Sequence, residues 1–388
     1  MKHIKLFFWI LILIGSVPAA QSACELKLKK QIVFPTKDHY AGPIYMFSDN
    51  TIYFNRQNTR EHILMNAEGS YQTFSFPQRL IKTPSRLKNG NLLFSAQNGQ
   101  VLEMNSKFEI VNSVTYPIKG YFDSVVEWGN DSWFLTKTDG KILQSKPFDS
   151  QFVEVFDLNA TNSDPEDPNY FFQGAVNYQN QYLIINPGYD DPIAFLSPQG
   201  NKVFEFNDVA QNVFQDPLIL KSGKVLAWGF LPNINSGLLS VVDPKDGFKE
   251  EKHYFKDVNP IFVTGLKNGG FVMGAIALNE SRTSYDNHLI ILDAEFKVLN
   301  TIVTLQSGFD LTWKAVELAD GHIINGVRDI IQLISPEYKL VSQYQLPNVE
   351  AGRNYQAVDG APVVLKDETV VYLGDSTEVY FMKKECSK

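Results

Sequence analysis

The chain has 388 residues, with 35 Lys and Arg against 43 Asp and Glu and an apolar content of 44%. That is ample for a large buried core. The formal charge of -8 argues against nucleic acid and anionic membrane surfaces as general partners, both of which select basic surfaces, and is too small to imply a cationic partner.

The first element in chain order stands apart from the fold. Lys2, His3 and Lys5 form a short basic start, Leu6 to Ile14 an unbroken apolar run, and Gly15 to Ala23 a small, polar exit. This layout predicts a secretory signal peptide over residues 1–23, cleaved after Ala19, Ser22 or Ala23, and a secreted or periplasmic protein. The apolar run is too short for a membrane anchor, so no integral membrane segment is expected after its removal. Removal takes away two lysines and moves the formal charge from -8 to -10. Ser22 and Ala23 precede Cys24 as they do in bacterial lipoprotein signals, which makes a lipid-modified Cys24 the alternative, although Gln21 stands where that resemblance calls for an aliphatic residue. The other cysteine is Cys386. Two cysteines at opposite extremes of a secreted chain predict a Cys24–Cys386 disulfide.

The rest of the chain, residues 24–388, reads as one domain built on a repeat. Eight segments share a polar turn followed by an alternating apolar strand, starting at Ser48, Lys88, Gly129, Tyr178, Lys221, Lys267, Ala319 and Lys366. The starts are 40, 41, 49, 43, 46, 52 and 47 residues apart. Each turn is preceded by an apolar segment such as Pro43 to Phe47 or Ser124 to Glu127. A third segment follows, such as Gly140 to Leu143 or Ile330 to Ser335, and then a fourth, such as Tyr71 to Phe76 or Val203 to Phe206. Trp313 to Leu318 falls in the place of a first strand and is read as one. The Asn-Gly, Ser-Gly and Asp-Gly pairs at Asn89, Ser222, Asn268 and Asp320 supply the positive φ that tight hairpins need. Four antiparallel strands per unit at this period predict an all-β, eight-bladed β-propeller, with seven blades the alternative.

The eighth unit has three strands of its own, ending with Glu378 to Met382, and an extra alternating segment, Leu26 to Phe34, precedes the first unit. That segment is expected to supply the missing outer strand, so that the two ends latch the ring. In repeat period and strand order the chain resembles the eight-bladed quinoprotein-like (PQQ-like) propellers and, more loosely, WD40 and kelch repeats. The resemblance covers the mature chain without a family motif. The tryptophan-docking signature of quinoprotein blades is absent, with five tryptophans in all and one in the signal, and so is a vicinal cysteine pair. No cofactor follows from it.

In such a ring the first strand of each blade lines the channel, and three long insertions fall on one face over adjacent blades: Asn159 to Tyr170, Phe230 to Gly237 and Gly274 to Asn287. Loops on a rigid scaffold commonly carry recognition. Aromatic and charged residues gather where first strands begin, and the candidate ligand-binding set is His39, Tyr40, Lys82, Tyr121, Asp123, Tyr170, Phe172, Asp216, Trp313, Lys314 and Tyr355. Rings at a channel mouth can stack on sugars or clamp a peptide, and they equally fill the wedge between blades. His39, His62, His253, His288 and His322 show no i, i+4 pair, so no zinc site is read from local sequence. No nucleophile elbow, phosphate loop or dinucleotide fingerprint occurs. These features predict a monomeric binding or scaffolding propeller that recognises a protein, peptide or glycan through the loop face of blades 4–6. The alternative is an extracytoplasmic metal-assisted hydrolase or lyase with its site at the channel mouth. The sequence names no catalytic residue, cofactor or metal ligand.

Overall fold

A computed structural model describes residues 24–34, 44–54, 61–76, 80–129, 131–137, 139–158, 174–187, 192–206, 217–279, 281, 283–305, 312–346, 362–373 and 378–387. The signal segment lies outside them. The described residues form eight four-stranded antiparallel sheets. In blades 1 to 7 four consecutive strands, A to D, pair in chain order. Blade 8 is built from both ends of the chain. Val363–Val364, Val370–Leu373 and Glu378–Cys386 are its strands A to C, and Cys24–Val33 is its strand D. The closing ladder runs from Cys24 opposite Cys386 to Val33 opposite Glu378, and a disulfide joins the two cysteines. The ring of eight and its shared last blade are as the repeat predicts.

The alternation of each strand B explains why the blades must stack. Ile52 and Phe54 of blade 1 pack with Val371 and Leu373 of blade 8, whereas Tyr53 between them packs with Leu92 and Phe94 of blade 2. Val370 and Tyr372 of blade 8 turn the other way, onto Ile324 of blade 7. Eight such cores occur among the described residues, one at each blade interface, and both faces of every strand B are buried. A buried side chain of this size stabilises by roughly 1.5–3 kcal/mol, so no blade is stable without two neighbours.

The repeated A-to-B turns also have a physical basis. Side chains at their tips accept the backbone N–H two residues on, as Asp49 does from Thr51, Asn89 from Asn91, Asn268 from Gly270 and Asp367 from Thr369. The lysine that starts several of these turns ties one blade to the next. Lys88 donates its backbone N–H to Glu127 and its ammonium to the Gly129 carbonyl. Lys221 reaches the Lys267 carbonyl, and Lys267 in turn reaches Glu317 and the Leu318 carbonyl. Ala319 continues the chain of turns by donating to Glu368.

Two features are not read from the sequence. The C-to-D turns carry a glycine at positive φ at Gly69 and Gly200, but an aromatic residue at positive φ in five blades: Phe108, Phe148, Phe248, Phe296 and Tyr338. The second concerns the insertions of blades 5 and 6, which are longer ladders and not long loops. Val225–Leu231 pairs with Ser236–Asp243 through Leu231 opposite Ser236, leaving a turn of four residues, Pro232 to Asn235. Phe271–Leu278 pairs with Tyr285–Leu292 through Leu278 opposite Tyr285. Ala275 and Ala277 are weak strand formers, and the register is set by what they pack against. Gly237 lets the extended ladder of blade 5 approach blade 6, since a Cβ there would lie 2.6 Å from Pro260 and 2.7 Å from the Val258 carbonyl oxygen. The third insertion, Asn159 to Tyr170, lies outside the described residues.

Candidate functional site

Strands A lie beside one another around the ring, for example in blades 2, 3 and 4 and in blades 6 and 7. Several are broken by a shift in register, and three of the nominated residues fall in the breaks. The A–B pairing is interrupted between Ile81 and Ser85 in blade 2, around Lys82; between Phe122 and Ser124 in blade 3, at Asp123; and between Trp313 and Val316 in blade 7, at Lys314. A bulge of this kind re-aims the side chain it carries. Asp123 is buried, Lys314 is exposed and Tyr121 is half-buried. Lys82 and Trp313 are placed on strands A of blades 2 and 7. His39, Tyr40, Tyr170, Phe172, Asp216 and Tyr355 lie outside the described residues.

Among the described nominated residues, Asp123 and Lys314 line different cavities. Asp123 lines a cavity of about 560 Å³ formed by strands A of blades 2, 3 and 4, together with Arg86, Lys88, Glu127, Asn177 and Asn180. Much of its polar lining is committed to holding the three blades together. Asn177 donates to the Glu127 carbonyl at 2.5 Å and to Asn180 Oδ1 at 2.7 Å, which also accepts the Gly129 N–H at 2.7 Å. The Ser124 and Thr136 hydroxyls bond each other at 2.8 Å behind the bulge. Lys314 lines a different cavity, between blades 5 and 6. Among the described residues no three His, Cys, Asp or Glu side chains converge to hold a metal ion.

The strongest surface feature is on the face of the B-to-C turns, where the long ladders of blades 5 and 6 form a raised wall. Asp257, the single residue between strand D of blade 5 (Lys249–Lys256) and strand A of blade 6 (Val258–Gly265), binds the wall together. Its N–H donates to the Asn235 carbonyl, its carboxylate accepts from the Asn235 amide at 2.7 Å, and its carbonyl accepts from Leu278. Ile234, Tyr254 and Tyr285 on this wall are 52%, 54% and 44% exposed. Beside them runs a groove of about 450 Å³ lined by Lys256, Asp257, Leu278, His288 and Val298. Burial holds the His288 imidazole below its ordinary pKa against the pull of Asp286, so it is neutral at pH 7. At the tip, Asn279 Oδ1 accepts the Thr283 N–H and the Asn279 amide donates to the Ser284 hydroxyl.

The other described histidines are structural neighbours of aromatic rings or charges. His62 is fully buried and bonds the Tyr53 hydroxyl at 2.9 Å through Nδ1. His253 lies 4.6 Å from the Phe296 ring centroid, and His322 sits 3.1 Å from Asp320. Sequence reasoning missed the Asp257 tie and the groove because both depend on how far the ladders of two blades extend.

No protein-family model matches the chain, and no curated protein matches it in sequence. Solved structures match it in fold. BamB from Moraxella catarrhalis is 11% identical with a TM-score of 0.60, over 92% of this chain and 99% of that one. The C-terminal WD40 domain of Sif2 is 8% identical with a TM-score of 0.63, over 92% and 97%. Virginiamycin B lyase from Staphylococcus aureus is 10% identical with a TM-score of 0.51, over 92% and 99%. At these identities the likeness is one of fold. It agrees with the resemblance to quinoprotein-like and WD40 propellers. No helix among the described residues is long and apolar enough to cross a membrane.

Proposed function

We propose that this propeller is an extracytoplasmic, monomeric binding module that holds a protein or peptide partner against the raised wall of blades 5 and 6. The observation that carries the reading is the exposure of Ile234, Tyr254 and Tyr285 on a wall made rigid by Asp257, beside an apolar-floored groove. Large side chains presented on an ordered backbone are the usual anchors of recognition, because little entropy is lost on binding. The signal-like residues 1–23 and the Cys24–Cys386 disulfide support an oxidising, extracytoplasmic location. A glycan is the other ligand that such aromatic side chains suit.

Photo-crosslinking separates recognition from inert exposure. A photoreactive residue at Ile234 or Tyr254 is expected to give adducts of one defined mass in the native compartment, while the same residue at Val153, on strand D of blade 3, gives none. Equal labelling at all three positions overturns the reading. The buried Asp123 in its inner cavity favours a second reading, a hydrolase or lyase at the channel. A fall in melting temperature on adding chelator, restored by a divalent metal, would support that reading over a pure binding module.

A further inference from the structure

The opposite face of the ring, formed by A-to-B and C-to-D turns, carries a cavity of about 750 Å³ between blades 5 and 6. Its walls are chemically divided. Leu218, Val241, Leu266, Phe271 and Phe296 make an apolar floor, with the Phe271 and Phe296 rings stacked 4.7 Å apart. The rim carries Lys221 and Lys224 from the A-to-B turn of blade 5, and Lys314 from the broken strand A of blade 7. Glu251 and Glu295 are the carboxylates at this rim, and Glu251 faces Lys224 at 3.7 Å. Lys221 is anchored on the Lys267 carbonyl, and Lys314 has no ion-pair partner among the described residues. His253 and Thr264 also contribute to the lining, with His253 Nε2 and Thr264 Oγ1 buried out of reach of solvent and the His253 ring lying against Phe296. An apolar floor with a few charged groups at its rim is the usual make-up of a small-ligand site.

We infer that this cavity binds a small amphipathic organic anion, an aryl or alkyl carboxylate or sulfonate. Its apolar body lies over Phe271, Phe296 and Leu266, and its anionic group meets Lys314 and Lys221. A purely apolar ligand would leave the lysines unused. A purely ionic one would leave the stacked aromatic floor unused. Gly265 keeps the cavity open: a Cβ there would meet only Leu218 Cδ2, at an ordinary 3.7 Å, so a side chain can be added without a backbone clash.

The test uses two dyes of similar shape, anionic 1-anilinonaphthalene-8-sulfonate and its uncharged analogue N-phenyl-1-naphthylamine, titrated by fluorescence against the full mature protein. The sulfonate is expected to bind saturably with one site, and dodecanoate to displace it. Lys314→Gln should weaken the sulfonate about tenfold, the worth of one charge-assisted contact, and leave the neutral dye unchanged. Gly265→Val should abolish both. Lys314 is exposed, so its substitution reads charge recognition even if Gly265→Val lowers stability. Unchanged sulfonate binding in Lys314→Gln, or full binding of both dyes by a folded Gly265→Val, overturns the assignment.

Discussion

Phe108 and Tyr53 lie with their rings stacked, centroids 5.4 Å apart and planes 27° from parallel, while Phe108 holds a φ of 63°. A bulky side chain in the left-handed region costs roughly 1–2 kcal/mol. The cost is offset because the ring plugs the wedge between blades 1 and 2, where it also meets Phe74, Phe76 and Phe94. Phe148 against Trp133 and Phe296 against Phe271 repeat the arrangement at other interfaces. An inversion of the usual substitution order follows. Phe108→Ala loses the plug and keeps the strained backbone, for a loss of about 3–5 kcal/mol. Phe108→Gly loses the plug but relieves the backbone, and should be the more stable of the two by about 1 kcal/mol. Urea midpoints of the two variants decide it, and equal or reversed midpoints would refute the strain argument.

Gly200 marks the limit of that aromatic pattern. It has a φ of 80°, and a Cβ there would fall inside the van der Waals surface of the Val155 carbonyl oxygen in the neighbouring blade. Gly247, at φ 61°, has nothing within 4 Å of the same position. Gly247→Ala should therefore cost only the left-handed penalty, about 1 kcal/mol. Gly200→Ala should cost at least 2 kcal/mol more, because backbone must move. Thermal melts of the two variants side by side test the contrast.

Glu103 is a buried carboxylate held by three amides. Oε1 accepts from Asn89 at 2.7 Å and Asn91 at 2.6 Å, and Oε2 from Asn112 at 2.7 Å. Desolvation pushes its pKa up, but the hydrogen bonds from Asn112, Asn91 and Asn89 together outweigh it and hold the carboxyl below its ordinary range. With the folded value below the unfolded one, the stabilisation is complete above the unfolded pKa of about 4.3 and is lost as pH falls through the folded value. Glu103→Gln should cost about 1–3 kcal/mol at pH 7, since it sets amide against amide. The gap between variant and wild type should close below about pH 4. A gap that persists unchanged at pH 3 would show that the charge does not matter.

The disulfide closes a loop of 362 residues. In the chain-entropy account this constrains the unfolded state by about 5 to 6 kcal/mol at most. The ladder from Cys24 to Val33 holds the same blade without it. Reduction is therefore expected to lower the melting temperature and leave the native circular dichroism unchanged at 25 °C. Thiol labelling of the unreduced protein should find no free cysteine.

The ring was legible because its signal is local and repeated eight times. Polar turn tips such as Asn89 and Asp367 are read within a window of a few residues. The link from Lys88 to Gly129 was not legible, since the partners are 41 residues apart and meet only when adjacent blades pack. Phe108 and Phe296 were passed over for a related reason, because backbone rules exclude bulky residues at positive φ and tertiary packing overrides them. Asp123 was visible as a charge on an inner strand. Its burial depends on a register break that only the pairing with Ser132–Lys137 reveals. Ala275 to Leu278 are all apolar and show no alternation that would mark them as strand within the Gly274 to Asn287 insertion, so the wall of blades 5 and 6 is not legible in the sequence.

The strand contributed by Cys24–Val33 carries a consequence in time. It is made first, yet its pairing partner, Glu378–Cys386, is made last, so it must wait as an unpaired edge through the synthesis of every blade between. Lys27, Lys29 and Lys30 stud this strand with charge; Lys27 pairs with Glu25 on its own strand, and Glu385 on the final partner then joins both Lys27 and Lys29. Charged lysines discourage an idle edge from pairing with the wrong sheet. The same side chains that line the outer strand of the finished propeller's last blade thus guard that strand against premature company until the closing one arrives.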